Sequence, residues 1–597
     1  MQRLQGSYSI LADRFVCRLF VAAFLVLIAL IMLGGYVEGP DDTMRWVTVT
    51  DLQEGQGWFD SYQHRLGPGD GTLMHWSRLV DAPISAIHWL SSVVLPPKTA
   101  LGVTAFVWPI LLAGLTLWAF AVTGGGLGGR EGAISALVIG VFALKNSGNY
   151  DQYSFDHHGL QIMLFASALS FFVLRKDRAH AGWWMGVCLA VSVSIGTESL
   201  VQIALIGIFF ALDWILSGSG SRRRTLEFSA AIFVTLVLTT LATTSRDSFL
   251  YPGCDALTIS VAMPTGLAAL GLFGAAFLAS GWSVWARAGC FLVVGAIVLG
   301  LAHTYAPYCL ENPIDQMPAA MRAFWLSQIT EAQNVTVVIQ RHTGEVIALI
   351  GIAVFTILAA SVFLCASDKK VEYLLLLLLV AVGLILFLYQ SRMRIFLSMS
   401  MVAVQAQVLR VMFQKYKANG SSLMGVLMIV FVALVSPKTG ASIEKRYTAL
   451  TAPKGGNAAS ETQEPRRITS CNAENSFEPL RNLAPGMVVV GFDYAPDVLR
   501  HTDHSVLAGN YHRNESGLLA QIDLFRSDAS EIGPRLAELG VDYIAICKFN
   551  PRSEYWSSVS DGKGLPAELI AGPLPEFLEE IEGDEDAAFH IFRVRNG

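Results

Sequence analysis

The chain is short of charge. Only 15% of its 597 residues are Asp, Glu, Lys or Arg, where a soluble domain carries roughly 25%. Apolar residues make up 53% of the chain, and the mean hydropathy is +0.48. That balance excludes an ordinary soluble fold. A strong charge of one sign is also missing. The net charge is −6, and the C-terminal part is not basic, which argues against a nucleic-acid partner. No clear internal repeat is visible. The first apolar run, residues 15–35, lacks a small-residue cleavage site and reads as an anchor.

Long apolar runs are what the chain has in plenty. They lie near 15–35, 101–123, 131–145, 158–174, 181–197, 199–217, 227–244, 264–280, 288–304, 343–366, 371–389, 395–412 and 421–437. These are about thirteen segments, each near the length that crosses a hydrocarbon core of about 30 Å. Basic residues fall in alternate short loops: Arg3 and Arg14, Arg130, Arg175 with Lys176 and Arg178, Arg222 to Arg224, Arg287, Lys369 with Lys370, and Lys415 with Lys417. Those loops share one side, and the positive-inside rule makes it the cytoplasm. The N-terminus is then cytoplasmic, and an odd number of spans leaves the C-terminus outside.

The expected fold is a polytopic α-helical membrane protein with a C-terminal extracytoplasmic α/β domain. Residues 1–437 form the membrane domain, with long outer loops at 36–100 and 305–342. Residues 438–469 read as a linker and 470–597 as a periplasmic domain. Within the latter, residues 487–490, 543–547 and 590–594 read as strands and 518–539 as one or two helices. Short loops in a compact chain point to a bacterial inner membrane. Of the eight cysteines, four lie outside the apolar runs. An oxidising outer compartment would pair Cys254 with Cys309 and Cys471 with Cys547; four free thiols are the alternative.

Ionisable residues at the rim of membrane helices are costly, and usually functional. Asp41 and Asp42, followed by Arg45, suit a hard divalent cation or simply open a solvated loop. Asp156-His157-His158 can bind metal or relay protons, or can cap a helix. Glu198 lies between two spans and Glu331 in the second long outer loop, each also readable as structural. Arg392 and Arg394 stand at the outer end of a span and suit phosphate or snorkel to headgroups. His75 and Arg78 flank an aromatic residue in the first loop. Acids for a metal and arginines for a phosphate on one face suit a lipid-linked phosphate donor. A transporter or flippase of such a lipid, and a non-enzymatic binding or assembly protein, are the other readings. Polar groups gathered at outer ends, and not at mid-membrane, favour surface catalysis.

This pattern resembles the GT-C glycosyltransferase superfamily, and within it the catalytic subunit of oligosaccharyltransferase. The likeness covers nearly the whole chain. Asp42 stands where that family has its first-loop acid. Asp156 and His158 resemble the acid-x-acid motif of the second outer loop, with histidine in place of the second acid. Gln328-Ile329-Thr330-Glu331 resembles the short fifth-loop motif, and Arg392 stands where the family has a phosphate-binding arginine. Gly491-Phe492-Asp493-Tyr494-Ala495 resembles Trp-Trp-Asp-Tyr-Gly but departs at both tryptophans, which puts recognition of a protein acceptor in question. Tyr511-His512-Arg513-Asn514 has no counterpart in this pattern. The resemblance implies metal-dependent, inverting transfer from a polyprenyl-(di)phosphate-linked sugar. Mg²⁺ or Mn²⁺ would be held by Asp42, Asp156, His158 and Glu331, and Asp42 would activate the acceptor. Arg392 and Arg394 would bind phosphate. Asp41, Arg45, His75, Arg78, His157, Glu198, Asp493, Tyr494, His512 and Arg513 are acceptor-side or accessory candidates. The acceptor is a lipid, a polysaccharide or a protein, and membrane lipids are further partners.

Overall fold

The computed structural model describes residues 10, 13–34, 38–312, 314–436, 438–440, 442, 445–446, 471–548, 555–556, 558–560, 564–571, 573–581 and 587–595. Most of the expected linker, residues 447–469, lies outside the described residues. The chain forms two compact units. One comprises Met1–Val37, Trp76–Asn312 and Thr330–Ala452; the other comprises Glu38–His75, Pro313–Ile329 and Pro453–Gly597.

The first unit is helical. Nine of its described helices are long and apolar enough to cross a membrane by length and composition. Three apolar helices, His158–Leu174, Ala181–Ile195 and Ser422–Leu434, are shorter. The longest, Pro97–Ser147, covers two of the expected spans because the chain reverses at Gly128 and Gly129. Gly129 has φ +65° and ψ −154°, a region essentially reserved for glycine. The two limbs then touch backbone to backbone: a Cβ on Gly132 would fall 2.2 Å from the Gly124 carbonyl oxygen.

Apolar side chains fill the centre, among them Val346, Leu349, Ala353, Val380, Phe387, Leu397 and Met401. The Val284–Tyr305 helix leaves Leu292, Val293 and Ile297 exposed, as expected of an apolar helix bathed in lipid. Several basic residues read as topology markers also lock helices together. Arg175 is fully buried and pairs with Glu372 at 2.7 Å. Arg287 donates to the carbonyls of Ile215, Ser280 and Trp282. Cys254 and Cys309 form a disulfide in this unit.

The second unit is α/β. Its five-stranded sheet has β3 (Met487–Val490), β4 (Ser505–Val506), β5 (Val541–Cys547), β6 (Leu578–Ile581) and β7 (Phe589–Val594) in the order β4-β3-β5-β7-β6. β3 is parallel to β4 and β5, while β7 is antiparallel to β5 and β6. Val488, Val489 and Val490 are completely buried, consistent with a parallel strand covered on both faces. A disulfide joins Cys471 to Cys547 at the end of β5.

Most of the described part of residues 38–75 belongs to this unit as well, as the Pro40–Gln53 helix and a hairpin of β1 (Tyr62–Gln63) and β2 (Thr72–Leu73). Arg65 donates to the carbonyls of Leu499 and Thr502, Asn514 donates to Thr72 Oγ1, and Glu38 pairs with Arg500. The long first loop, expected as one outer segment, is therefore divided. Its first half is structural material of the tail fold, and its second half, the Arg78–Ser92 helix, belongs to the membrane unit.

Candidate functional site

The loop between Ser147 and His158 is held in an unusual path. Gly148 and Tyr153 both have positive φ, 76° and 69°. Tyr153 is anchored by donating its N–H to the Ala105 carbonyl at 2.9 Å, and Lys145 pairs with Asp151 at 2.7 Å. A non-glycine residue in this region costs about 1–3 kcal/mol and persists where its surroundings fix it. The loop delivers Asp156, His157 and His158 to the end of the His158–Leu174 helix.

Asp156 faces both imidazoles. One carboxylate oxygen lies 2.6 Å from His157 Nδ1, and the other meets His158 Nδ1. The two rings stack with centroids 4.4 Å apart. His157 Nε2 lies 3.2 Å from Glu198 Oε1, in the turn joining the Ala181–Ile195 and Leu200–Ser217 helices. Gln161 donates to Glu198 Oε2 at 3.1 Å and to the Gly196 carbonyl at 3.2 Å. Gly196 leaves no room for a side chain, since its Cβ would fall 2.5 Å from Glu198 Oε2.

Burial opposes charge on all these groups, yet they hold it. Burial disfavours the ionised Asp156, but the facing His157 and His158 keep its carboxyl well below the ordinary range. Burial likewise opposes charge on His157, but Asp156 and Glu198 raise it to about 10. Glu198 is drawn far down despite its burial by His157, His158 and the more distant charge of Arg392.

The donor set fits a metal ion that takes the place of the imidazole protons, since a ligating histidine is neutral. Ligand atoms of Asp156, His157 and His158 all lie within 4.8 Å of one another, close to the separation of donors that each stand about 2.0–2.2 Å from one ion. His157 Nδ1 is buried and makes no hydrogen bond of acceptable geometry. Two imidazoles and one carboxylate suit a borderline divalent ion better than Mg²⁺, which prefers an all-oxygen shell.

Around this cluster the remaining candidates are distributed unevenly. Ser391 donates its N–H to the Gln333 carbonyl and its hydroxyl to the Thr330 carbonyl. This stitches the Glu331 turn to the short turn carrying Arg392. Glu331 itself is exposed and stands outside the ligand cluster. Among the described residues Arg392 has no carboxylate in ion-pair reach, and its Nε is buried without a partner. Arg394, two residues on, turns elsewhere and pairs with Glu345 at 3.6 Å. Arg78 is buried against Asp81 at 3.1 Å.

The second unit holds the other candidates. Asp42 Oδ2 accepts from Gly39 N–H at the start of the Pro40–Gln53 helix, with Asp41 in its first turn. Arg45 is fully buried in that helix. His75 and His512 place their ring centroids 4.9 Å apart, and Arg513 reaches the Met74 carbonyl. Asp493 and Tyr494 line a small pocket of about 30 Å³ with Phe492, Phe525, Cys547 and Trp556. It opens at the carboxyl ends of β3 and β5, where parallel sheets bind ligands. Asn510 bridges Asp493 to Trp325, whose indole N–H donates to it at 3.0 Å.

Sequence reading ranked His157 as accessory and did not single out Gln161. Both lie within reach of Glu198, and a signal existed: Gln161 follows His157 by four residues and His158 by three, the spacings that bring helical side chains together. Asn510 and Trp325 carried no such signal.

Comparison with known folds decides the architecture. An archaeal oligosaccharyltransferase, AglB from Archaeoglobus fulgidus in complex with an inhibitory peptide and a dolichol-phosphate, superposes over 93% of this chain and 72% of its own, with a TM-score of 0.64 at 14% identity. The two chains share a fold. Two further structures of the A. fulgidus oligosaccharyltransferase agree, both at 14% identity. One, in complex with Zn and sulfate, covers 92% of this chain and 70% of its own with a TM-score of 0.60. The other, tethered to an acceptor peptide containing the NVT sequon, covers 94% and 72% with a TM-score of 0.61. No protein-family model and no curated protein matches the sequence. The expected architecture, a multi-pass helical membrane protein with a C-terminal sheet domain, is the one observed.

Proposed function

We propose that the chain is a glycosyltransferase that moves a sugar or glycan from a polyprenyl-(di)phosphate donor to an acceptor at the outer face of the membrane. The observation that carries this reading is the buried Asp156–His157–His158–Glu198 cluster within electrostatic reach of the carboxylate-free Arg392. Similarly folded oligosaccharyltransferases captured with dolichol-phosphate, and with zinc and sulfate, support a lipid-phosphate donor and a metal. The charge alternation of the loops supports a cytoplasmic N-terminus and a periplasmic second unit in a bacterial inner membrane.

Asp156, His157 and His158 would hold a divalent ion, with Glu198 behind His157 fixing its ring. A divalent ion there would supply positive charge against the leaving phosphate, and Mn²⁺ suits these donors better than Mg²⁺. Arg392 would grip a phosphate oxygen with a guanidinium not already neutralised. Glu331 would approach from its exposed turn. Asp42 keeps the role the resemblance gives it, taking the proton from the attacking acceptor. Attack on the anomeric carbon from the face opposite the phosphate inverts that centre. Gly491 and Phe492, in place of two tryptophans, favour an acceptor other than a peptide sequon.

The test uses purified full-length protein in nanodiscs with a radiolabelled polyprenyl-linked sugar extract, with and without Mn²⁺ or Mg²⁺. Metal-dependent release of label, lost in Asp156→Ala, is the expected result. No release from a folded protein with any donor or metal would overturn the proposal.

A further inference from the structure

The membrane unit contains a second charged cavity with a different construction. Its volume is about 200 Å³, and Phe142, Asn146, Glu345, Leu349, Arg394, Ser398 and Lys438 are among its lining residues. Four helix ends meet at its mouth: the end of the Pro97–Ser147 hairpin, the starts of Thr343–Ala366 and Arg394–Asn419, and the chain just past Ser422–Leu434. The alternation of the helices puts all four on the side of Asp156 and Arg392, the outer side under the charge rule.

The mouth is polar and carries surplus positive charge. Glu345 offsets Arg394, which it approaches to 3.6 Å, while Lys438 has no carboxylate in reach among the described residues. Asn146 donates to Ser436 at 2.7 Å and ties two of the helix ends together. Below the mouth the walls turn mostly apolar, with Ile139, Phe142, Leu349 and Met401, and the one deep polar side chain, Gln405, is directed to Thr356. Polar-cationic above and apolar below is the profile of a lipid site, not of a channel for a soluble ion.

Between mouth and apolar wall stands Ser398. It follows Arg394 by one helical turn and so lies about 6 Å deeper along the axis. Its hydroxyl makes no hydrogen bond among the described residues. A glycerophospholipid carries ester carbonyls at about that depth beneath its phosphate, whereas a polyprenyl phosphate is pure hydrocarbon there.

We propose that this cavity binds a phosphate-bearing membrane lipid, and specifically an anionic glycerophospholipid. Its phosphate meets Lys438 and Arg394, an ester carbonyl accepts from Ser398, and an acyl chain lies along Phe142, Leu349 and Met401. The site is separate from the Arg392 corner and stands whether or not the chain transfers sugars. It also divides two arginines of nearly adjacent number between two ligands.

The experiment is lipid binding to delipidated full-length protein, read by native mass spectrometry. Dioleoylphosphatidylglycerol, dioleoylphosphatidylcholine and undecaprenyl phosphate are the probes. We expect one phosphatidylglycerol held about tenfold more tightly than phosphatidylcholine, and that preference lost in Lys438→Glu. Ala143→Trp, which fills the groove without touching its charges, should abolish tight binding of phosphatidylglycerol while the melting temperature stays within a few degrees of the parent. Equal binding of the two phospholipids, stronger binding of undecaprenyl phosphate, or unchanged binding in folded Lys438→Glu and Ala143→Trp variants would each overturn the proposal.

Discussion

The two units bury their acids in opposite ways. In the membrane unit, Asp156 and Glu198 are buried against imidazoles and remain ionised. In the sheet unit, Asp497 is buried against the amide of Asn472, which donates to it at 2.9 Å. Burial is the largest influence there, and the carboxyl is pushed up to about 7 although Asn472 and Arg500 oppose the rise. Burial raises a carboxyl's pKa in both places; the partner decides whether charge survives. The difference is that of a cluster whose imidazoles keep its carboxylates charged and a fold that tolerates a neutral acid.

The largest test of that contrast removes the keystone of the charged cluster. Asp156→Ala should lower metal-dependent transfer at least about a hundredfold and weaken binding of Mn²⁺, measured by calorimetry. Unchanged metal affinity would break the comparison at its stronger end. Next come the two arginines. Arg392→Ala should raise the KM for the lipid-linked donor by about tenfold to a hundredfold, because it removes a charge-assisted phosphate contact, while Arg394→Ala should leave it within about threefold. Equal effects would dissolve the division between the two corners.

Glu331→Ala sharpens the picture further. This residue is exposed and outside the ligand cluster. Its loss should reduce turnover by about tenfold while Mn²⁺ affinity stays unchanged. A parallel fall in metal affinity would instead move Glu331 into the ligand set.

Asp497→Asn tests the other side of the comparison, through stability and not activity. A carboxyl whose folded pKa is raised to about 7 from 3.8 gives stability that is fully present below the unfolded value. That stability is lost as pH rises through about 7. The sheet unit should therefore weaken between about pH 4 and pH 7, by up to about 4 kcal/mol at about 1.4 kcal/mol per unit. Asparagine should flatten that slope, as followed by hydrogen exchange of β3 and β5 in the full-length protein. A slope unchanged in the variant would assign the pH dependence to other groups.

Much of the architecture was legible in the chain. Apolar runs of spanning length announce themselves because lipid imposes one solution, a helix with every backbone group satisfied internally. β3, β5 and β7 were readable as short apolar runs, while β4, with two residues, and β6, with Glu579 and Glu580 in its four, carry too little apolar pattern to stand out. Within the site, Asp156, His157 and His158 were visible because they are contiguous. Glu198 was visible only as a stray acid, since its partner His157 is 41 residues away. The division of Arg392 from Arg394 could not be read at all. Both are arginines at a helix start, and only the short turn Ser391–Met393 aims them apart.

The sequence by itself determined that this is a multi-pass helical membrane protein with a sheet domain at its end. It also set its candidate acids and arginines beside or between the apolar runs, because hydrophobicity and charge act locally and by composition. Only the tertiary structure decided which of those groups face one another. It folded residues 38–75 into the tail unit, joined Glu198 to His157, and left Lys438 at the mouth of a cavity. Such pairings join residues tens to hundreds of positions apart, and their energies depend on burial and distance, neither of which is written in the local order of residues.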